Sequence, residues 1–197
     1  MPLRPDYPLE TRRLRLRPLR EDDLEALLEY HCSPEVHRFL PMAPMDAEVI
    51  LERIASGVWS RTTIEEERDA IVLGVELADT AELVGEVMLA WVSRTHACGE
   101  VGYVLNPRHA GNGLATEATN ELLRLGFIDL GLHRVIARIV DGNRPSLAVA
   151  ERLGMRREAH LVKSWRGWRG GQWTDEIHLA LLRSEWQTRP VAAELEP

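Results

Sequence analysis

The sequence of 197 residues predicts an α+β fold built around one mixed, mostly antiparallel sheet. Two apolar, β-branched runs, 70–77 and 83–92, flank the turn-forming residues 78–82 and indicate an antiparallel hairpin. Beyond residue 100 the pattern becomes strand, helix, strand, helix, which extends the sheet and adds flanking helices. No internal repeat, low-complexity segment or linker interrupts the chain, so we expect residues 1–197 to form a single domain.

Local periodicity predicts the other elements. Alternating leucine and arginine over 14–19 indicate a first strand, and leucines at helical spacing behind acidic residues indicate a helix ending near His31. A second helix follows the candidate N-cap Asp46, and a third runs from about Gly113 to Asp129. The later predictions are strands at 100–105 and 134–140, a helix at 146–153 ended by Gly154, and a hairpin of strands at 158–165 and 173–182.

Composition and charge limit the kinds of binding partner. The net charge of −7 repels a negatively charged phosphate backbone, so nucleic acid is a disfavoured partner. No run of 18 apolar residues and no signal peptide occur, so we expect a cytoplasmic protein without a membrane segment. Cys32 and Cys98 stand in unrelated contexts and are expected to be reduced thiols. The spacing of His31, Cys32 and His37 matches no common zinc pattern, so no metal is expected.

The segment 108–115 carries the strongest functional signal. It reads Arg-His-Ala-Gly-Asn-Gly-Leu-Ala and lies between a predicted strand and a predicted helix. Gly111 and Gly113 let backbone N–H groups point at an anion, and a helix N-terminus adds about half a positive charge, so this turn suits a pyrophosphate. A dinucleotide-binding fingerprint fits poorly because Thr116 stands where its third glycine belongs. An ordinary strand-to-helix turn remains the alternative.

A resemblance to a known family rests on these residues. Arg-x-x-Gly-x-Gly at 108–113, followed by Leu-Ala-Thr-Glu-Ala, resembles the CoA-binding signature of the GNAT superfamily of N-acetyltransferases. The segment from Asn143 to Ser146 and the following residues 150–155 are similar to a second signature of the same superfamily. The segments from Leu9 to Leu19 and from Asp175 to Trp186 look like the two ends of the branch that contains the ribosomal-protein N-terminal (alanine/serine) acetyltransferases.

The resemblance implies a GNAT fold in which two parallel strands, 100–105 and 134–140, splay apart and admit the thioester of acetyl-CoA. It implies direct transfer of the acetyl group to a primary amine, either a protein N-terminus or a small molecule, without a metal or a covalent enzyme intermediate. The residues implied to bind acetyl-CoA are Val104, Leu105, Arg108, His109, Ala110, Gly111, Asn112, Gly113, Leu114, Ala115, Asn143 and Ser146.

Proton transfer needs further residues, since an alkyl amine is mostly protonated at neutral pH and requires a base before it attacks a thioester. Glu100, at the head of its predicted strand, is the first candidate because related acetyltransferases often place a glutamate there. Glu86 is the second, because a carboxylate among apolar neighbours either faces solvent or has a partner. Either is equally explained as an outward strand residue. Ser146 matches the family position of a general acid, although Asn143 and Ser146 also suit the start of a helix.

Two alternatives from other classes stay open. One is a CoA-binding sensor or scaffold without turnover. The other is an RNA-binding module, because the segment 165–173 interleaves aromatic and basic side chains that suit stacked bases. These side chains are Trp165, Arg166, Trp168, Arg169 and Trp173. A hairpin tip near the acceptor site, or a contact in a homodimer, explains the segment equally well. The resemblance also puts His37 and Trp59 in the region that borders the acceptor, without favouring one of them.

Overall fold

The computed structural model describes residues 2–168, 170–171 and 173–189. The strands in this part of the chain are β1 (Leu9–Glu10), β2 (Leu14–Pro18), β3 (Ala70–Leu77), β4 (Leu83–Ser93), β5 (Cys98–Leu105), β6 (Arg134–Val140), β7 (Arg156–Trp165) and β8 (Thr174–Leu182). They form one sheet in the order β1-β2-β3-β4-β5-β6-β8-β7. The β5–β6 pair is parallel and the other neighbours are antiparallel, which confirms the predicted mixed sheet.

Helices cover both faces of the sheet. They are α1 (Leu24–His31), α2 (Ala47–Ala55), α3 (Leu114–Arg124), α4 (Arg144–Arg152) and α5 (Arg183–Thr188). Successive side chains of a strand point to opposite faces, so Ile71 and Leu73 pack into the core that α3 and α4 cover. Val72 instead packs with Tyr30 of α1 and Ile50 of α2. Each face of the sheet therefore has its own apolar core.

Several boundaries differ from the predictions for physical reasons. The helix predicted to run to Asp129 ends as an α-helix at Arg124 and continues as a wider turn, in which the Leu130 N–H donates to the Leu125 carbonyl at 2.9 Å. The helix predicted to begin at Ser146 begins at Arg144, because Asn143 is its N-cap. The strand predicted to begin at Glu100 begins at Cys98, so Glu100 does not stand at its head. Strand β1 and helix α5 were not predicted, because both are too short to show a periodic pattern.

Candidate active site

The parallel strands β5 and β6 separate soon after they meet. Their pairing runs from Cys98 opposite Arg134 to Glu100 opposite Ile136, and it stops there. Strand β5 nevertheless continues to Leu105, and β6 continues to Val140. The sheet therefore opens into a cleft at its centre, which confirms the splayed pair that the resemblance implied.

The glycine-rich turn follows the end of β5, in the part of this strand that no longer pairs with β6. Asn106 shapes its start by accepting a hydrogen bond from the Arg108 N–H through Oδ1 at 3.1 Å. Gly111 and Gly113 have φ angles of 83° and 73°, in the left-handed region that favours glycine. Helix α3 begins at the next residue, Leu114, so its free N–H groups face the same turn.

A buried ion pair holds this turn against the start of the chain. The Glu117 carboxylate accepts hydrogen bonds from the Arg13 Nε at 2.7 Å, the Arg13 N–H at 2.8 Å and the Thr11 hydroxyl at 2.7 Å. Arg13 also donates from Nη1 to the Asn112 carbonyl at 3.0 Å. Burial alone would raise the pKa of Glu117. The hydrogen bonds from Thr11 and Arg13 lower it by more, so the pKa lies below its usual value. Sequence reasoning missed this contact, which joins residues more than 100 positions apart.

A cavity of about 510 Å³ lies in front of the turn and extends along β5. The predicted cofactor-binding residues that line it are Val104, Leu105, His109, Ala110, Gly111, Gly113, Leu114, Ala115, Asn143 and Ser146. A Cβ added at Gly111 would meet no atom within 4 Å, so the open space begins directly at this backbone. The structure therefore brings together most of the residues that the signatures singled out.

Two predicted cofactor-binding residues do not line this cavity. Arg108 directs its guanidinium to the carboxylate of Glu29 and has a side chain that is 65% exposed. Asn112 donates from Nδ2 to the His109 carbonyl at 3.4 Å. Arg152 of α4, which sequence reasoning did not select, lines the cavity instead and donates to the Thr116 hydroxyl at 3.4 Å.

A second cavity, of about 370 Å³, opens on the α1–α2 face of the sheet. It shares six lining residues with the first: Phe39, Leu40, Tyr103, Val104, Asn143 and Ser146. Glu86, Glu100 and Trp59 also line the second cavity. The two cavities thus meet where β5 and β6 separate, and both predicted base candidates lie on the same side of that meeting point.

Glu86 and Glu100 have different surroundings. Glu86 is 6% exposed, and its carboxylate contacts the Tyr30 hydroxyl and, at 2.8 Å, the His31 Nε2. The alternative that Glu86 points outward to solvent is therefore wrong. Glu100 accepts a hydrogen bond from the Arg138 Nε at 3.0 Å, and this bond raises the pKa of Arg138.

Ser146 lies where α4 meets β5. Its backbone N–H donates to the Asn143 Oδ1 at 3.3 Å, which confirms that Asn143 caps this helix. Its hydroxyl donates to the Tyr103 hydroxyl at 3.1 Å, and Tyr103 donates back to the Ser146 carbonyl at 2.7 Å. Burial raises the pKa of Tyr103 to about 12, so this phenol keeps its proton at neutral pH. The Ser146 hydroxyl is not needed for the cap and is available to the cavity.

The tip of the β7–β8 hairpin contacts the segment directly before Phe39 and Leu40, which line the second cavity. The Trp168 indole N–H donates to the His37 carbonyl at 3.1 Å, and a small cavity between Trp168 and Arg38 separates the tip from this segment. Arg169, one of the interleaved basic residues, lies outside the described residues. The packing agrees with the explanation of the segment as a hairpin tip near the acceptor side. Among the described helices none is long and apolar enough to cross a bilayer.

Comparisons with known proteins identify the family. The sequence profile described as "Acetyltransferase (GNAT) domain" matches residues 13–156. The chain is 31% identical over 178 residues to the uncharacterised N-acetyltransferase YnaD of Bacillus subtilis, which covers 90% of this chain and 98% of that protein. It is 27% identical over 188 residues to the [ribosomal protein uS5]-alanine N-acetyltransferase of Escherichia coli, covering 92% and 94% of the two chains.

A solved structure agrees with the sequence comparisons. RimJ of Mycobacterium smegmatis, in complex with CoA-disulfide, superposes with a TM-score of 0.77 and is 25% identical, covering 96% of this chain and 94% of that one. Similarity to named acetyltransferases thus extends over nearly the whole chain, in agreement with its fold, its separated strands and its glycine-rich turn. The chain belongs to the GNAT family and is an N-acetyltransferase.

Proposed function

We propose that this enzyme takes its acetyl group from acetyl-CoA and transfers it directly to a primary amine, which is a protein N-terminal α-amine or the amine of a small molecule. The observation that carries the proposal is the junction of the two cavities at Tyr103, Val104 and Ser146. A donor bound along the glycine-rich turn and an amine held beside Glu86 and Glu100 would face each other at this junction. Holding two reactants in attack geometry lowers the activation free energy, by about 7–11 kcal/mol when the alignment is ideal.

The first cavity fits the chemistry of CoA. The positive φ angles of Gly111 and Gly113 and the N-terminus of α3 give backbone donors for a pyrophosphate. Arg152 adds a cation to the same cavity. The apolar side chains of Val104, Leu105 and Leu114 suit a pantetheine arm. When bound, acetyl-CoA supplies an activated acyl group as a thioester.

The chain's own groups then position the reactants and move protons. A backbone N–H at Val104 or Leu105, in the part of β5 that no longer pairs with β6, polarises the acyl carbonyl. The Ser146 hydroxyl lies at the cavity junction and would turn from Tyr103 to protonate the departing thiolate, after which water would return a proton to the Ser146 oxygen.

The contacts of the two carboxylates favour Glu86 over Glu100 as the base, which reverses their order in the sequence analysis. The Arg138 Nε donates to the Glu100 carboxylate at 3.0 Å, so Glu100 already has a cationic partner. Glu86 contacts His31, a side chain able to take a proton onward. We give the base role to Glu86 and keep Glu100 as the alternative.

Release of free CoA tests this proposal across a panel of amines that includes peptides beginning with alanine or serine and small polyamines. We expect wild-type turnover with at least one member. Glu86→Gln should lower kcat by about 10²-fold or more, the range of general base catalysis. Glu100→Gln is the matched control and should have a much smaller effect. The reverse result would exchange the two roles, and the absence of turnover with every amine would contradict the proposed function.

A further inference from the structure

Glu86 is the first member of a buried chain of hydrogen bonds that runs through His31 and His37 to the Met42 carbonyl. Its Oε1 lies 2.8 Å from the His31 Nε2, and the His31 Nδ1 lies 3.2 Å from the His37 Nε2. The His37 Nδ1 lies 2.9 Å from the Met42 carbonyl oxygen. Tyr30 contacts the other carboxylate oxygen of Glu86. His31 and His37 are 1% and 0% exposed, so water does not replace these partners.

The number of protons in this chain follows from its two ends. A carbonyl oxygen only accepts, so His37 must carry its proton on Nδ1 and, when neutral, must accept on Nε2. His31 must then donate from Nδ1. The contact between the His31 Nε2 and Glu86 still lacks a proton, because two neutral imidazoles bring two protons to three contacts. One additional proton, shared by His31 and Glu86, satisfies the whole chain.

Among residues 2–168, 170–171 and 173–189, the other anions near His31 already have arginine partners. The charged and titratable groups nearby are Tyr30, Asp23 with Arg17, Arg53, and Glu100 with Arg138. Asp23 and Glu100 are each paired with an arginine, and Arg53 lies over the Trp59 ring that also contacts His31. Glu86 is therefore the anion available to His31.

We propose that His31 and Glu86 share one ionisable proton, that this proton must leave before Glu86 takes a proton from the acceptor amine, and that His37 sets the pH at which it leaves. This inference rests on the proposed function. In the step itself, an N–H bond of the ammonium breaks and its electron pair stays on nitrogen as the nucleophile. The proton passes to Glu86 and is shared with the His31 Nε2, so the net charge of the pair changes from −1 to 0.

His37 acts as a positioning residue, because it does not line either cavity. By accepting from the His31 Nδ1, it leaves the His31 Nε2 facing a carboxylate at 2.8 Å. Without the shared proton, a lone pair of the His31 Nε2 and a lone pair of the Glu86 Oε1 oppose each other there, so this contact is a hydrogen bond only when the proton is present. Burial lowers the pKa of His37 and so keeps it a neutral acceptor. If His37 is removed, a neutral His31 can donate from Nε2 to Glu86 and the extra proton is no longer required.

The pH dependence of kcat tests the role of His37. In His37→Phe, the acidic limb should move to lower pH by at least one unit, while KM for acetyl-CoA stays unchanged. His37→Gln should restore the wild-type limb, because an amide accepts with its oxygen and donates with its nitrogen as the imidazole does. A loss of packing alone would lower stability or kcat without moving the limb, and an unmoved limb in His37→Phe would overturn the proposal.

A second measurement needs no acceptor and no turnover. The ¹⁵N chemical shifts of the histidine rings in the wild-type protein should show His37 neutral with its proton on Nδ1. His31 should be protonated on both nitrogens at low pH and lose the Nε2 proton as pH rises. Finding this pattern in a protein that acetylates no amine would refute the proposed function and leave the proton sharing in place. A neutral His31 with its proton on Nε2 at every pH would overturn the proton sharing even in an active enzyme.

Discussion

Gly113 links the backbone of the turn to the start of α3. Its φ of 73° lies in the left-handed region, which costs residues other than glycine about 1–2 kcal/mol. A Cβ at this position would lie 3.5 Å from the Arg13 Nη2, so a small side chain fits sterically beside the turn. A larger side chain would occupy the cavity surface where the proposed pyrophosphate approaches.

Gly113→Val should therefore raise KM for acetyl-CoA strongly while the protein stays folded. Gly131→Val is the matched control, because Gly131 has the same φ of 73° and lines neither cavity. Both variants should melt at lower temperature, by roughly 2–4 °C for each kcal/mol of strain. An unchanged KM for acetyl-CoA in Gly113→Val would remove the turn from the binding site.

Ser146 offers a second test at the residue scale. Its backbone N–H, and not its hydroxyl, donates the capping hydrogen bond to the Asn143 side chain. Ser146→Ala therefore keeps the helix start intact. We expect kcat to fall by about 10²-fold or more with little change in KM for acetyl-CoA, since a general acid acts in the transition state. Steady-state kinetics and a melting curve together decide the matter. A loss of only about 0.5–1.5 kcal/mol of stability, with normal kcat, would make Ser146 a structural residue.

Residue patterns predicted some of these positions and missed others. Gly111 and Gly113 were predictable because a left-handed turn before a helix leaves a local signature. The pairing of Glu86 with His31 was not, because it joins residues 55 positions apart on a strand and a helix. Sequence shows that Glu86 needs a partner but not which residue supplies it.

An ion pair between Arg13 and Glu117 joins the start of β2 to α3. Arg13 directly precedes β2, and Glu117 lies in the first turn of α3, so their ion pair fixes the helix against the residues between β1 and β2. Because Arg13 also donates to the Asn112 carbonyl, the same contact holds the glycine-rich turn.

Glu117→Gln should destabilise the protein at neutral pH by about 1–3 kcal/mol, the cost of breaking charged hydrogen bonds at a buried site. The pKa of Glu117 is lowered by folding, so its contribution is present above its ordinary pKa and is lost as pH falls through the folded value. The difference in the free energy of unfolding between wild type and variant should thus become smaller below about pH 4. Denaturant unfolding at several pH values measures it, with Glu151→Gln in an exposed pair as the control. A gap that does not change with pH would contradict the ionic contribution.

Strands were easier to predict than the ends of helices. The runs of β3 and β6 were predicted with the observed bounds, because both are mostly apolar and contain several β-branched residues. The wider turn at Leu125–Asp129 carries the same apolar spacing as the α-helix before it, so periodicity could not separate the two.

The arrangement of the whole molecule depends on one local event, the end of pairing between β5 and β6 after Glu100. Hydrophobic periodicity predicted which segments are strands, but it contains no information on where two strands stop pairing. The splay was expected only because two signatures resemble those of a family. Its consequence is global, since the cleft joins the cavity on the α1–α2 face to the cavity before the glycine-rich turn.

We propose that the first cavity binds CoA, and thermal unfolding with added ligand measures this binding without any acceptor amine. A ligand that binds only the folded state adds about 2.7 kcal/mol at a hundredfold excess over Kd, which raises the melting temperature of a protein of this size by roughly 5–11 °C. Acetyl-CoA and CoA should both produce such a shift, because pyrophosphate and pantetheine supply most of the contacts. NAD at the same concentration carries a pyrophosphate without the pantetheine arm and should produce a much smaller one. A large shift with NAD and none with CoA would contradict the proposal that the first cavity binds CoA.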